Sequence, residues 1–108
     1  MSEIRVVTPR GRIDAATSPQ LEEELQRCLA AGCLRLVVDF SEVRYLSSSA
    51  LKVLLVTLRE ARAQGGDIRL AALCERVREI FEIAGFHHLF ALDGTVDEAR
   101  EALSASAG

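Results

Sequence analysis

Hydrophobic positions along the chain follow two alternating periods, one typical of strands and one typical of helices. Four segments have the β-branched or nearly continuous apolar composition of strands: residues 3–13, 34–40, 68–73 and 89–92. Four others place apolar residues three and four positions apart, as amphipathic helices do: one between Thr17 and Gly32, then residues 48–63, 75–84 and 95–104. Because strands alternate with helices, the pattern predicts βαβ units with right-handed crossovers.

The predicted fold is α/β, a single domain in which a small, mixed but mostly parallel sheet of four or five strands is combined with about four helices. The length of 108 residues fits one domain, residues 1–108. We expect an ordered core of about residues 3–103 and a frayed tail over residues 104–108, which contain only Ser, Ala and Gly.

Three residues fix the ends of the first strand segment and the first helix. Pro9 cannot donate to a sheet ladder, so this segment lies at a sheet edge or is broken at a bulge or turn. The side chain of Thr17 is expected to cap the helix, with Pro19 in the first turn. Gly32 is expected to end the helix.

The second predicted helix, residues 48–63, carries apolar side chains on two faces. Its core stripe has the spacing i, i+3, i+4 and i+7, and consists of Leu51, Leu54, Leu55 and Leu58. Ala50, Val53, Val56 and Thr57 lie outside this stripe. The second face therefore meets a partner, or it is covered by another part of the same chain, and the pattern leaves both interpretations open.

Charge and composition narrow the classes of partner. The 13 Lys+Arg against 16 Asp+Glu give a net charge of −3, whereas nucleic acids are bound by basic surfaces. No apolar run approaches the ~20 residues of a membrane helix, and no signal peptide is visible. Three cysteines without CxxC spacing predict neither a disulfide framework nor a zinc site. We expect a cytoplasmic protein that neither binds nucleic acid directly nor inserts into membranes.

Motifs that carry catalysis or hold a cofactor do not occur in the sequence. Neither GxGxxG nor GxxxxGK[ST] is found, and Gly65-Gly66 is expected to end a helix rather than to open one. His87 and His88 are adjacent, with no acidic or thiol residue at ligand spacing. We therefore expect no enzyme activity, no metal and no cofactor.

Three consecutive serines, Ser47, Ser48 and Ser49, stand where a loop is expected to leave the carboxyl end of a central strand and enter the second helix. Sites in parallel sheets cluster at that edge. Helix capping needs one serine, and Ser47 is best placed for it. The other two would lie in the first turn, where free N–H groups and the helix dipole stabilise a phosphate. Phosphorylation there would leave the fold intact and block a docked partner.

Five motifs of this sequence occur in the same order in one known family. Residues 11–14 match an early motif, residues 37–41 and 46–51 match a central strand and a signature loop, and residues 64–67 and 77–86 match a later turn and the third helix. With these motifs, the chain from about Ile4 to Leu103 resembles the STAS domain, named for sulfate transporters and anti-sigma factor antagonists. The resemblance is to the short, stand-alone bacterial antagonists.

The resemblance implies a partner-switching regulator that is a substrate and binding module. In the family, the serine directly after the Asp of the signature loop is phosphorylated; this residue maps to Ser48, with Ser49 as the fallback. The resemblance further implies that the dephosphorylated antagonist binds an anti-sigma factor that is also a serine kinase, and so releases a sigma factor. Phosphorylation by that kinase with ATP ejects the antagonist, and a serine phosphatase resets it.

The implied partner surface combines the signature loop with the outward face of the second helix: Ser47, Ser48, Ser49, Ala50, Lys52, Val53 and Val56. The chain departs from the family where Ser47 replaces the usual Asp, Ala50 the usual Gly, and Lys52 a small residue. The Ala50 methyl group is expected to hinder close approach by a partner. Lys52 is expected to pair with a phosphate or an acidic partner surface.

Two further expectations concern assembly and an alternative function. Only three residues precede Ile4, so the extra N-terminal strand of many relatives is expected to be missing or shortened. This leaves a sheet edge open, and we expect a monomer or a weak homodimer. Stand-alone STAS domains also dock, without phosphorylation, on the permease of phospholipid-handling ABC transporters. The loss of the family Asp and Gly weakens the switch and gives this second interpretation some weight, below that of the antagonist. A third hypothesis is a small flavodoxin-like enzyme or nucleotide binder. It has the least support, because no phosphate-binding loop and no acid–base pair can be named in the sequence.

Overall fold

The structure, a computed structural model, describes residues 3–105 of the chain. Its strands are β1 Ile4–Val7, β2 Gly11–Ile13, β3 Arg35–Asp39, β4 Val43–Leu46, β5 Asp67–Ala71 and β6 Ala91–Asp93. Its helices are α1 Ser18–Ala30, α2 Ser48–Ala63, α3 Glu75–Ile83 and α4 Val96–Ala105, and a 3₁₀ turn covers Phe86–His88. Helix α4 includes Ser104 and Ala105 of the predicted tail, and residues 106–108 lie outside the described residues.

The six strands form two parallel sheets. In the main sheet the strands lie in the order β1-β3-β5-β6, and every neighbouring pair is parallel. Strands β2 and β4 form a separate parallel pair, here called the ribbon. The α/β class, the parallel sheet and the four helices are confirmed. The main sheet has four strands, within the predicted four or five, and the ribbon is a second sheet that the pattern did not predict.

Strand β4 occupies a segment that the sequence pattern predicts to be a loop. The strand has only four residues, and its side chains do not alternate regularly between buried and exposed. Gly11 of β2 pairs with Val43, but Arg12 pairs with Tyr45, so Arg44 is an extra residue in the ladder. Such a bulge interrupts the period of two that identifies a strand in a sequence. The three serines therefore follow the ribbon and not the main sheet.

Two hydrophobic cores lie on opposite faces of the main sheet. Alternate residues of β3 point to opposite faces, so that Leu36 and Val38 enter one core and Val37 enters the other. The larger core holds the buried faces of α1, α2 and α3, including Leu25, Leu54 and Phe81. In the smaller core, Ala99 and Leu103 of α4 pack against β3 and β5. Helix α2 is thus fixed on the larger core, with its first residue at the end of the ribbon.

The ends of α1 correct one prediction and confirm two. The Thr17 side chain makes no capping hydrogen bond to the helix, because its hydroxyl is bonded to Asp14 and to the Arg12 carbonyl. Pro19 lies in the first turn as predicted. Gly32 follows the helix with φ +86°, a conformation that glycine adopts without strain.

The turn after α2 needs glycine for a different reason. A Cβ atom added to Gly66 would overlap the carbonyl oxygen and the Cβ of Leu34. The Asp67 N–H donates to that same carbonyl at 2.9 Å. Gly66 therefore lets the chain leave α2 and enter β5 directly beside the start of β3, as the predicted helix stop requires.

Candidate functional site

The candidate site lies at the carboxyl end of the ribbon, where β4 leads into α2. The Ser47 N–H donates to the Ile13 carbonyl at 2.9 Å and so continues the pairing of the ribbon by one residue. This bond holds the ends of β2 and β4 side by side. The loop after β2 and the first turn of α2 therefore form one surface.

Ser47 caps α2, as the sequence predicts. Its Oγ accepts a hydrogen bond from the Ala50 N–H at 3.2 Å, and its carbonyl accepts one from the Leu51 N–H at 3.1 Å. Its backbone is extended, with φ −83° and ψ 169°, as an N-cap residue requires. One serine of the three thus has a structural role that fixes where the helix begins.

Ser48 is the first residue of α2 and is exposed, whereas Ser49 is half-buried. The backbone N–H groups of these two residues point out of the helix start, because no carbonyl of the same helix lies one turn before them. Helix α2 has 16 residues, and its dipole places partial positive charge at this end. The Ser48 hydroxyl therefore lies in solvent at a position that favours negative charge.

Lys52 lies one helical turn beyond Ser48 and is also exposed. Residues i and i+4 of a helix are neighbours on its surface. An ammonium group on this side chain is therefore within reach of an anionic group carried by Ser48.

The predicted partner surface keeps most of its residues but loses Ala50. The Ala50 side chain is 0% exposed and belongs to the larger core. The expectation that its methyl group hinders an approaching partner is therefore wrong, because the methyl points into the protein. Val53 is half-buried and Val56 is 38% exposed, so apolar surface does remain on the outer side of α2.

The rest of the second apolar face is covered by the chain itself. Thr57 is 0% exposed, and its hydroxyl donates to the Val53 carbonyl one turn earlier at 2.8 Å. Helix α1 packs against α2 on its inner side. The predicted stripe is confirmed for Leu51, Leu54 and Leu58, and Leu55 is partly buried.

Asp14 organises the loop beside Ser47. Its Oδ1 accepts hydrogen bonds from the N–H groups of Ala16 at 3.0 Å and Thr17 at 3.1 Å, and its own N–H donates to Thr17 Oγ1 at 2.9 Å. The bonds from Thr17 and Ala16 lower the pKa of Asp14 below its ordinary value. The carboxylate therefore remains ionised, and the loop weakens only as the pH falls through this lowered pKa. The Asp-x-x-Thr spacing is the signal that identifies such a loop in a sequence.

Arg12 and Tyr45 are a second feature of this surface that sequence reasoning missed. The Arg12 Cζ lies 4.4 Å from the centroid of the Tyr45 ring, as in a cation–π pair. Arg12 and Tyr45 are paired across the ribbon, and Tyr45 stands two positions before Ser47 along the chain. No sequence signal shows this contact, because it depends on β4 being a strand.

Within residues 3–105, His, Cys, Asp and Glu side chains nowhere gather in groups of three or more that could hold a metal ion. Among these same residues, none of the helices combines the length and the apolar character needed to cross a bilayer.

The chain is similar in sequence to a known domain family and to proteins that carry it. The profile of the STAS domain matches residues 2–99. BtrV of Bordetella bronchiseptica, a candidate anti-sigma factor antagonist, is 36% identical over 97 residues, which cover 90% of this chain and 80% of BtrV. The anti-sigma-B factor antagonist of Bacillus subtilis is 33% identical over 75 residues, which cover 69% of this chain and 68% of that protein.

Solved structures of the anti-sigma factor antagonist SpoIIAA have the same fold. The unphosphorylated form superposes with a TM-score of 0.83 at 22% identity and covers 97% of this chain and 91% of SpoIIAA. The phosphorylated form of the Bacillus protein gives a TM-score of 0.69 at 21% identity, with 90% and 87% covered.

Proposed function

Because this chain belongs to the STAS domain family, we propose that it is an anti-sigma factor antagonist whose binding is switched by phosphorylation of Ser48. In its dephosphorylated state it binds an anti-sigma factor that is also a serine kinase, and a sigma factor is released. Phosphorylation ejects the antagonist, and a serine phosphatase restores it. The chain acts as substrate and binding module in this cycle.

Two kinds of similarity support the regulatory role. The relatives at 36% and 33% identity carry the name of anti-sigma factor antagonist, one of them as a candidate. SpoIIAA, which shares the fold, is named as such an antagonist and has been solved in unphosphorylated and phosphorylated forms. The proposal carries the same chemistry to this chain.

The observation that carries the proposal is the exposed Ser48 hydroxyl at the start of α2. In the kinase reaction, Ser48 Oγ forms a bond to the γ-phosphorus of ATP, the bond to the β-phosphate oxygen breaks, and ADP leaves. The hydroxyl proton passes to a base of the kinase. The reaction needs access to Oγ from solvent, and an exposed first-turn serine provides it.

The fold tolerates the phosphate for electrostatic reasons. A phosphoserine carries about −1.5 to −2 charges at neutral pH. At Ser48 this charge would meet free N–H groups, the positive end of the α2 dipole and the neighbouring Lys52. The domain therefore stays folded, while the surface that a partner must contact becomes dianionic and bulkier.

The partner surface that we propose, here called the docking face, consists of the exposed or half-buried residues Ser47, Ser48, Ser49, Lys52, Val53 and Val56. Hydroxyl groups occupy its end at the ribbon, and two valines provide apolar contact area along α2. Ala50 is omitted because it is buried. A phosphate on Ser48 lies at one end of this face and opposes docking by charge and by size.

The proposal is tested by incubating the purified chain with ATP and the anti-sigma factor serine kinase of the same organism. Intact-mass and peptide mass spectrometry should find one added phosphate, located on Ser48. The variant Ser49→Ala should accept the phosphate as readily as the parent chain, and Ser48→Ala should accept none.

Other results distinguish the remaining functions. Phosphate found only on another residue would contradict the assignment of Ser48. A chain that takes up no phosphate and co-purifies with an ABC-transporter permease would replace the switch by the transporter-subunit function.

A further inference from the structure

Cys28 and Cys33 are brought together by the way α1 ends. The Cys33 N–H donates to the Cys28 carbonyl at 3.0 Å, and the Gly32 N–H donates to the Leu29 carbonyl at 3.0 Å. With Gly32 at φ +86°, these two bonds form a Schellman motif. Side chains of the first and last residues of this motif commonly contact each other. The motif therefore places the two thiols on the same side of the chain reversal.

A disulfide bond requires the two cysteines to lie close together. Disulfides bridge Cα atoms roughly 4.4–6.8 Å apart. The hydrogen bond from the Cys33 N–H to the Cys28 carbonyl brings the backbones of these two residues into direct contact. Cys28 and Cys33 are each 5% exposed, so both thiols are held in place by packing.

A cationic group from β1 lies next to the thiol pair. Interaction with Cys33 and then with Cys28 raises the pKa of the exposed Arg5 guanidinium. Burial raises the pKa of the Cys28 thiol, and Arg5 opposes that effect.

Cys33 is buried, but it is one of the residues that line a cavity. The cavity has a volume of about 390 Å³ and lies between the end of α1, the start of β3 and the turn after α2. Its wall includes Gly32, Cys33, Leu34, Arg35, Gly65 and Gly66. Cys28 is absent from this wall, so Cys33 is the thiol assigned to meet the reagent first.

We propose that Cys28 and Cys33 form a redox site that closes to an intramolecular disulfide when it reacts with a hydroperoxide. With hydrogen peroxide as the hydroperoxide, the Cys33 sulfur attacks one peroxide oxygen, the O–O bond breaks, and the hydroxide that leaves takes up the thiol proton to give water. Cys33 is then a sulfenic acid. The Cys28 sulfur attacks the Cys33 sulfur, the S–S bond forms, and the sulfenic oxygen leaves as a second water with the Cys28 proton. Two thiols are oxidised and one hydroperoxide is reduced.

The disulfide would fix the last turn of α1 to the segment before β3 without rearranging the fold. It closes a loop of only a few residues, and short loops gain little stability from a crosslink. Oxidation therefore changes the molecule only locally, at the end where the strands of the main sheet begin. This inference does not depend on the function proposed for Ser48.

The test treats the folded, reduced chain with hydrogen peroxide and then blocks the remaining thiols with an alkylating reagent under denaturing conditions. Peptide mapping without reduction should find Cys28 joined to Cys33 within one chain and Cys74 alkylated. Reduction with dithiothreitol should restore all three thiols. Because this map uses the parent chain, it does not rely on any variant being stable.

Two variants identify the roles of the thiols. Cys28→Ser should lose the disulfide and leave a sulfenic acid at Cys33 that a dimedone probe captures. Cys74→Ser is the matched control, since Cys74 lies at the start of α3, and this variant should form the Cys28–Cys33 disulfide at the parent rate. The proposal is overturned if peroxide oxidises Cys74 while Cys28 and Cys33 stay free thiols and are then alkylated. It is also overturned if Cys74 is a partner in the disulfide.

Discussion

On its inner face, helix α2 buries six side chains against the larger core: Ala50, Leu51, Leu54, Thr57, Leu58 and Ala61. On its outer face, Ser48, Lys52 and Val56 of the docking face contact solvent. The same 16 residues therefore provide both a core element and a proposed partner surface. The buried residues Leu51, Leu54 and Leu58 follow from the helical period, whereas Ser48, Lys52 and Val56 on the outer face do not.

Substitutions on the inner face of α2 should change the stability of the protein, whereas substitutions on the outer face should change binding. Removing a buried side chain leaves a cavity and lowers the free energy of unfolding. Exchanging a solvated side chain alters stability by only about 0.5 kcal/mol or less, so its effect appears in binding. Variants of α2 should separate into these two groups.

The largest expected effect is that of Leu54→Ala on the inner face. Leu54 is 0% exposed, and its truncation should lower the free energy of unfolding by about 2–5 kcal/mol. Urea denaturation measures this loss, and Lys52→Ala on the outer face is the control, with a change within about 0.5 kcal/mol. Similar losses in both variants would refute the division of the helix into two faces.

A smaller effect, and one on binding alone, is expected for Val56→Glu on the outer face. A charge in the middle of the docking face should weaken binding of the anti-sigma factor by about tenfold, or about 1.4 kcal/mol, with little change in the melting temperature. Isothermal titration calorimetry measures the affinity.

The matched control is Ile83→Glu, which changes an apolar side chain of α3 that is 87% exposed and lies outside the docking face. This variant should bind as the parent does. If Ile83→Glu weakens binding and Val56→Glu does not, the docking face lies elsewhere on the molecule.

The smallest expected effect is at the boundary between the faces. Ser47→Ala removes the hydroxyl that accepts from the Ala50 N–H, and it should lower the free energy of unfolding by about 1 kcal/mol. Ser49→Ala, which removes a neighbouring hydroxyl with no capping bond to Ala50, should lower it clearly less. Equal losses, measured by the same denaturation, would mean that Ser47 is not the cap.

The hydrophobic period predicted α2, its stripe and the parallel main sheet, because long and strongly periodic elements follow from local sequence. It did not predict β4, since a bulge at Arg44 breaks the alternation in a strand of four residues. The residues at the start of α1 predicted that the Thr17 hydroxyl caps the helix, whereas this hydroxyl bonds to Asp14 instead. Both errors have the same cause: the contact that determines the structure is made with a residue outside the segment whose pattern was used for the prediction.

The site shows the same division. Ser47 as the cap and an exposed Ser48 follow from the local order of residues at a helix start. The burial of Ala50 does not, because the side of α2 that faces the core at its first turn is set by the ribbon and by α1. The contact between Arg12 and Tyr45 likewise requires the pairing of β2 with β4.

The most direct test of the switch is the dissociation constant of the anti-sigma factor, measured for the chain with phosphoserine at position 48 and for the unmodified chain. We expect the phosphorylated chain to bind at least tenfold more weakly while remaining folded, since the phosphate lies at a helix start that favours it and on a face that a partner must cover. Equal affinity of the two folded forms would contradict the proposed switch.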